Sequence, residues 1–285
     1  MKQYTVTGRA RTFKQPRNGF IPVKSLQVKQ FKTDDLGFIS STAAGQENIS
    51  PAKMGLMVDY LTRYQCLKTS EYADLNAIKV IAFQVPLMGA ELLQAYYFNQ
   101  GLTDKQKSVK KEVFHLINAI NDVSEFATLD AVCRLLKYDA VYRAGIDVFN
   151  DQDDDIDIDT MKHVQAMVNR SLNYLNHEAA SAAFLKVGFD LLGSFTKIVT
   201  SGDGDYLTSN ALIDSKVSKY KPNKQYTLQI LMYYLMGLHS DDANSFKNMK
   251  KLVLFYPRQN IEYSIKVSDL DENMLKTVET DVIGY

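Results

Sequence analysis

The sequence predicts a mixed α/β (α+β) protein with a mainly helical first half and a mixed sheet in the second half. Three observations carry that prediction. Between residues 50 and 137 apolar side chains recur at helical spacing. Beyond residue 190 the period shortens, and brief alternating runs are separated by Gly, Ser and Asn. A helical run then interrupts the strand-like ones, which implies an α/β or α+β unit. At 285 residues and 46% hydrophobic composition, the chain is long enough to bury a core in one large domain or two small ones. We divide it into residues 1–150, an N-terminal hairpin plus helical region, and 151–285, a sheet-bearing domain.

In chain order, "YTVTGRARTF" and "FIPVKSLQVKQF" alternate and are joined by the turn-rich "KQPRNG", so a hairpin is expected. Ser50 and Pro51 read as N-cap and first helical position, followed by Met54, Met57, Val58, Leu61 and Tyr64 on one face. Helical patterns follow over 71–83, 86–99, 104–119 and 123–137. After an acidic run from Asp147 to Asp159, Thr160 is placed to cap a helix through "MKHVQAMVNRSLNYL". "SFTKIV", "DGDYLT" and "NALIDSKV" read as strands. "NKQYTLQILMYYLMGLH" reads as an amphipathic helix, with Leu228, Leu231, Met232 and Leu235 at i, i+3, i+4 and i+7. "KLVLFYP" and "IEYSIKV" are two more strands, and Ser268 with Asp271 forms a variant capping box for the last helix.

Composition excludes several function classes. Lys+Arg and Asp+Glu balance at 33 each, so net charge names no partner. The distribution is less even, because residues 1–33 hold basic side chains and no acidic one. That segment reads as a nucleic-acid-facing hairpin or a charge-protected edge. Cys66 and Cys133 stand far apart, which fits a reducing cytoplasm and rules out a disulfide framework or a four-cysteine metal site within the chain. No apolar run reaches the roughly 18 residues of a membrane span, and the N-terminus has no signal-like apolar region. A cytoplasmic protein without membrane contact is expected. "DQDDDIDID" lacks the glycine of a calcium loop, and Lys162 stands where the bidentate Glu would be. His115, His163, His177 and His239 show no zinc spacing. There is no P-loop, nucleophile elbow or dinucleotide fingerprint.

One stretch does carry chemistry: "SGDGDYLTSNALIDSKVSK", residues 201–219. Pairing through the Ser-Asn turn would bring Asp205 near Asp214, although sequence leaves the register open. Two carboxylates and a backbone carbonyl on adjoining strands make a hard-oxygen site for Mg²⁺ or Mn²⁺. Lys216, two residues after Asp214, can orient or deprotonate a water and offset charge on a phosphoryl oxygen. The bland reading is a solvated hairpin with a surface ion pair worth about 0–1 kcal/mol. Against it, "ALI" runs as a buried strand straight into Asp214, and a charge there needs a partner or a metal.

The order "GDGD", then "DSK", then a helix with "QILMY" resembles the PD-(D/E)XK nuclease superfamily in its RecB-type branch, over about residues 188–267. The resemblance implies a restriction-endonuclease-like core in the C-terminal half. It also implies Asp205 and Asp214 as metal ligands, Lys216 as the catalytic lysine, and Gln229 and Tyr233 as positioners of lysine, water or DNA. An upstream His or Glu is a usual further ligand of the branch; His163 and Glu178 are the candidates, and neither sits in a matching motif. The implied function is Mg²⁺- or Mn²⁺-dependent hydrolysis of DNA in repair, recombination or phage defence. The alternative is a catalytically inactive module that binds nucleic acid or a protein partner within a larger complex.

Overall fold

The computed structural model describes residues 2–40, 47–69, 74–152 and 155–285. In chain order its elements are β1 (Tyr4–Thr5), α1 (Val6–Thr12), β2 (Gln27–Gln30), α2 (Pro51–Lys68), α3 (Leu75–Ala82), α4 (Gln84–Asn99), α5 (Thr103–Ala119), α6 (Phe126–Ala144) and α7 (Ile158–Ala179). There follow β3 (Leu185–Asp190), β4 (Val199–Ser201), β5 (Asp203–Thr208), β6 (Ala211–Ser215), α8 (Lys224–Leu238), α9 (Ala243–Lys247), β7 (Lys251–Tyr256), β8 (Ile261–Lys266) and α10 (Glu272–Thr277). The expected helical first half and mixed sheet in the second are both present. Residues 71–73 of the helix expected over 71–83, and Asp153 and Asp154 of the acidic run, lie outside the described residues.

Two compact units divide the chain at places other than residue 150. One comprises residues 40–172 and the other joins residues 1–39 to 173–285. The 40–172 unit is helical. Ser50 caps α2 as expected, its hydroxyl accepting from Lys53 N at 3.3 Å, with Pro51 in the first turn. Helices α4 and α6 pack closely because Gly89 has no side chain; a Cβ there would stand 1.8 Å from the Tyr138 carbonyl oxygen. Thr160 is not the cap of α7. Asp157 takes that role, its carboxylate accepting from Thr160 N at 2.7 Å, while the Thr160 hydroxyl accepts from Asn48 N. Among the described residues no single helix is long and apolar enough to cross a membrane.

The second unit is built on a six-stranded sheet in the order β2-β8-β7-β6-β5-β3. Only β6 and β7 run parallel, and α8 makes the crossover between them. The expected N-terminal hairpin does not form. Val6 and Ala10, four apart and both buried, belong to the helix α1, whose N-cap Thr5 accepts from Gly8 N at 2.9 Å. β2 pairs instead with β8, antiparallel, at the sheet edge. Of "SFTKIV" only Val199 enters a strand, the short β4, which pairs with β1 in parallel. β3, a strand the sequence reading passed over, lies just before it. The α8 helix is not amphipathic: Thr227 through Gly237 are all buried, with the sheet on one side and α1 and α9 against it elsewhere. At the last helix Asp271 alone caps, accepting from Met274 N, and Ser268 bonds to Asp269 instead.

Candidate functional site

The hairpin that carries the two aspartates is registered by its turn. Thr208 Oγ1 accepts from Ala211 N at 2.9 Å and from Asn210 N at 3.2 Å, closing a two-residue Ser209-Asn210 connection. Register then follows as Leu207 opposite Leu212 and Tyr206 opposite Ile213. Continued one step, it sets Asp205 opposite Asp214. There the backbone ladder gives way to a side chain: Asp205 Oδ2 accepts from Ser215 N at 2.8 Å. Asp205 is half-buried and Asp214 buried.

Lys216 lies just past the end of β6, where its N–H still donates to Phe255 O at 2.8 Å. Its ammonium stands 2.6 Å from Asp214 Oδ2, with side-chain exposures of 17% and 4% for the lysine and aspartate. Burial pulls the lysine pKa down, but the Asp214 and Asp205 charges outweigh it and hold it above the ordinary lysine range. The Lys216 Nζ also sits 5.1 Å from the centre of the Tyr226 ring.

From α8, Tyr226, Gln229 and Tyr233 fall at i, i+3 and i+7, one helical face. Gln229 Nε2 donates to the Tyr233 hydroxyl at 3.0 Å and to Thr7 Oγ1 of α1 at 2.8 Å. Both α8 side chains are buried. Burial, then the fields of Asp214 and Asp205, push the Tyr233 hydroxyl far above its usual pKa, so it remains a neutral donor. Asn223 starts α8, accepting from Gln225 N and Tyr226 N. The glycines of "GDGD" allow close approach. A Cβ on Gly202 would meet Val6 at 2.5 Å, and one on Gly204 the Phe189 ring at 1.9 Å. That ring in turn meets Tyr233 edge-on at 6.2 Å.

All five residues singled out from sequence thus fall in one unit and in one connected cluster. Thr7, Tyr226 and Tyr256 were missed. Tyr226 was legible from helical spacing, one turn before Gln229. Tyr256 ends β7 two residues beyond Leu254, the partner of Asp214, and its buried hydroxyl has no hydrogen-bond partner. The two upstream candidates are engaged elsewhere. Glu178 meets Lys251 Nζ at 3.0 Å, at the start of β7, and Lys251 also pairs with the buried Glu262. His163 lies in the 40–172 unit, with Nδ1 3.2 Å from Glu47 Oε1. Among the described residues no group of three or more His, Cys, Asp or Glu side chains is arranged to hold a metal ion.

No protein-family model, curated protein or solved structure matches the chain.

Proposed function

We propose that the protein is a Mg²⁺- or Mn²⁺-dependent nuclease of the PD-(D/E)XK type, RecB-like branch, that hydrolyses DNA phosphodiester bonds. The observation that carries this reading is the meeting of Asp205, Asp214 and the Lys216 ammonium at the end of a registered hairpin, under the Gln229–Tyr233 face of α8. The strand–strand–strand–helix–strand succession of β3, β5, β6, α8 and β7 supports it, since the three motifs then fall on two neighbouring strands and the crossover helix. DNA repair, recombination or phage defence would be the setting.

The residues suit a hard divalent cation. Mg²⁺ keeps several waters and is commonly held by one or two carboxylates together with substrate phosphates, so Asp205 and Asp214 would supply the protein's share. When bound, such an ion polarises a phosphoryl oxygen and acidifies a coordinated water. The chain's own groups do the rest. Lys216, 2.6 Å from Asp214 Oδ2, would orient or deprotonate the attacking water and offset charge on a phosphoryl oxygen. Gln229 and Thr7 hold the Tyr233 hydroxyl beside the carboxylates. Burial of Asp214 keeps bulk water from screening these charges.

Purified protein incubated with DNA and Mn²⁺ is expected to cleave it, and Asp214→Ala or Lys216→Ala to reduce cleavage by at least about a hundredfold. Cleavage that survives both substitutions contradicts the assignment. One observation favours a second reading, an inactive module of the same fold that binds nucleic acid or protein: no third ligating side chain joins the two aspartates among the described residues. Stable DNA binding without any Mn²⁺-dependent cleavage would select it.

A further inference from the structure

Two basic, acid-free stretches of this neutral chain meet next to the candidate site. Residues 1–33 and 215–240 contain no Asp or Glu. These two stretches are far apart in sequence and touch in the fold. Gln15 Nε2 donates to Lys224 O at 2.9 Å, Thr227 Oγ1 donates to Ile21 O at 3.0 Å, and a Cβ on Gly19 would stand 2.8 Å from Lys224 Cβ. The segment following α1 therefore lies along the first turn of α8. Arg11, Lys14, Arg17, Lys221 and Lys224 are all exposed there.

Between Lys216 and α8 runs "VSKYKPN", and its geometry is set by specific bonds. Ser218 N donates to Lys216 O at 2.8 Å, Tyr220 N to Ser218 Oγ at 3.1 Å, and Gln259 Nε2 to Lys219 O at 3.1 Å. The result is a held loop that presents Tyr220 outward at 70% exposure, with Lys219 over its ring at 5.4 Å. The exposed ring thus stands beside a cation and four residues from Lys216, with its face open to a stacking partner. Among the exposed aromatic rings of the described residues, Tyr220 is the one nearest Lys216 in sequence, and it is flanked by Lys219 and Lys221.

We infer that this surface binds single-stranded DNA, with Tyr220 stacking on a base and the surrounding lysines and arginines on its phosphates. The inference deepens the nuclease reading by naming the form of its substrate, and rests on that reading only for DNA as the polymer. Duplex DNA hides its base faces inside the stack, so an exposed ring gains contact only where bases are unpaired. The cations serve either form alike and carry no sequence information.

The test is fluorescence anisotropy of the full-length chain with a labelled oligo-dT strand and a duplex of equal length, in EDTA so that no cleavage intervenes. Tighter binding of oligo-dT than of duplex is expected. Tyr220→Ala should weaken oligo-dT binding about tenfold and leave duplex binding unchanged, whereas Tyr220→Phe should behave as wild type. Lys221→Ala with Lys224→Ala should weaken both forms and flatten the salt dependence. Equal affinity for the two forms, or Tyr220→Ala binding oligo-dT as wild type does, overturns the inference. A Tyr220-dependent strand complex with no cleavage in Mn²⁺ would keep this surface and discard the nuclease. Cleavage of duplex DNA indifferent to Tyr220 would do the reverse.

Discussion

Lys216 and Asp214 form a nearly buried ion pair, and such pairs are informative mainly through what their disruption costs. Removing one partner strands the other charge in low dielectric, so Lys216→Met is expected to destabilise the protein by about 3 kcal/mol. The pH dependence has a definite sign. Because the folded-state pKa of Lys216 is raised, its contribution is complete below the ordinary lysine value of 10.5 and is lost as pH rises through the higher folded value. The stability gap between wild type and Lys216→Met, measured by urea unfolding, should stay level through neutral pH and narrow only in strong alkali. A gap that closes near neutrality would show that the lysine is not held protonated by the aspartates. Much of this pair was visible in sequence, since an apolar "ALI" ran directly into the charge. Thr7 was not visible, because 222 positions separate it from Gln229 and no local pattern spans that distance.

At the scale of elements, the strands β5, β6, β7 and β8 were legible as short runs bounded by turn residues, and α8 as a longer run with apolar residues at helical spacing. The failures share a physical cause. The α1 segment opens on three consecutive β-branched residues, Thr5, Val6 and Thr7, and its side-chain cap with buried Val6 and Ala10 overrode that local preference. Helix α8 reads as amphipathic from the spacing of Leu228, Leu231, Met232 and Leu235, yet α1 and α9 also pack against it and Thr227 through Gly237 are all buried. Gly204 ties the elements together. It lets the Phe189 ring of β3 lie against β5 while the same ring supports Tyr233 of α8. Gly204→Ala forces that ring aside and is expected to cost about 1–3 kcal/mol, read as a lowered Tm. An unchanged Tm would mean that the ring does not pack there.

For the whole molecule, the sequence pointed to a cut near residue 150, and the fold follows a different plan. The sheet unit is discontinuous, with residues 1–39 supplying α1, β2 and Thr7 to elements that begin after residue 173. Charge is arranged at the same scale. A chain with 33 cations and 33 anions brings its two longest acid-free stretches, 1–33 and 215–240, into contact, which gathers positive charge beside Lys216. The central claim is that Asp205 and Asp214 converge as ligands of one divalent ion. Calorimetric titration of Mn²⁺ into the full-length protein and its Asp205→Asn and Asp214→Asn variants tests that claim most directly. Binding by wild type that weakens at least about tenfold in each variant is the expected result. Absence of Mn²⁺ binding, or binding indifferent to both substitutions, would contradict it.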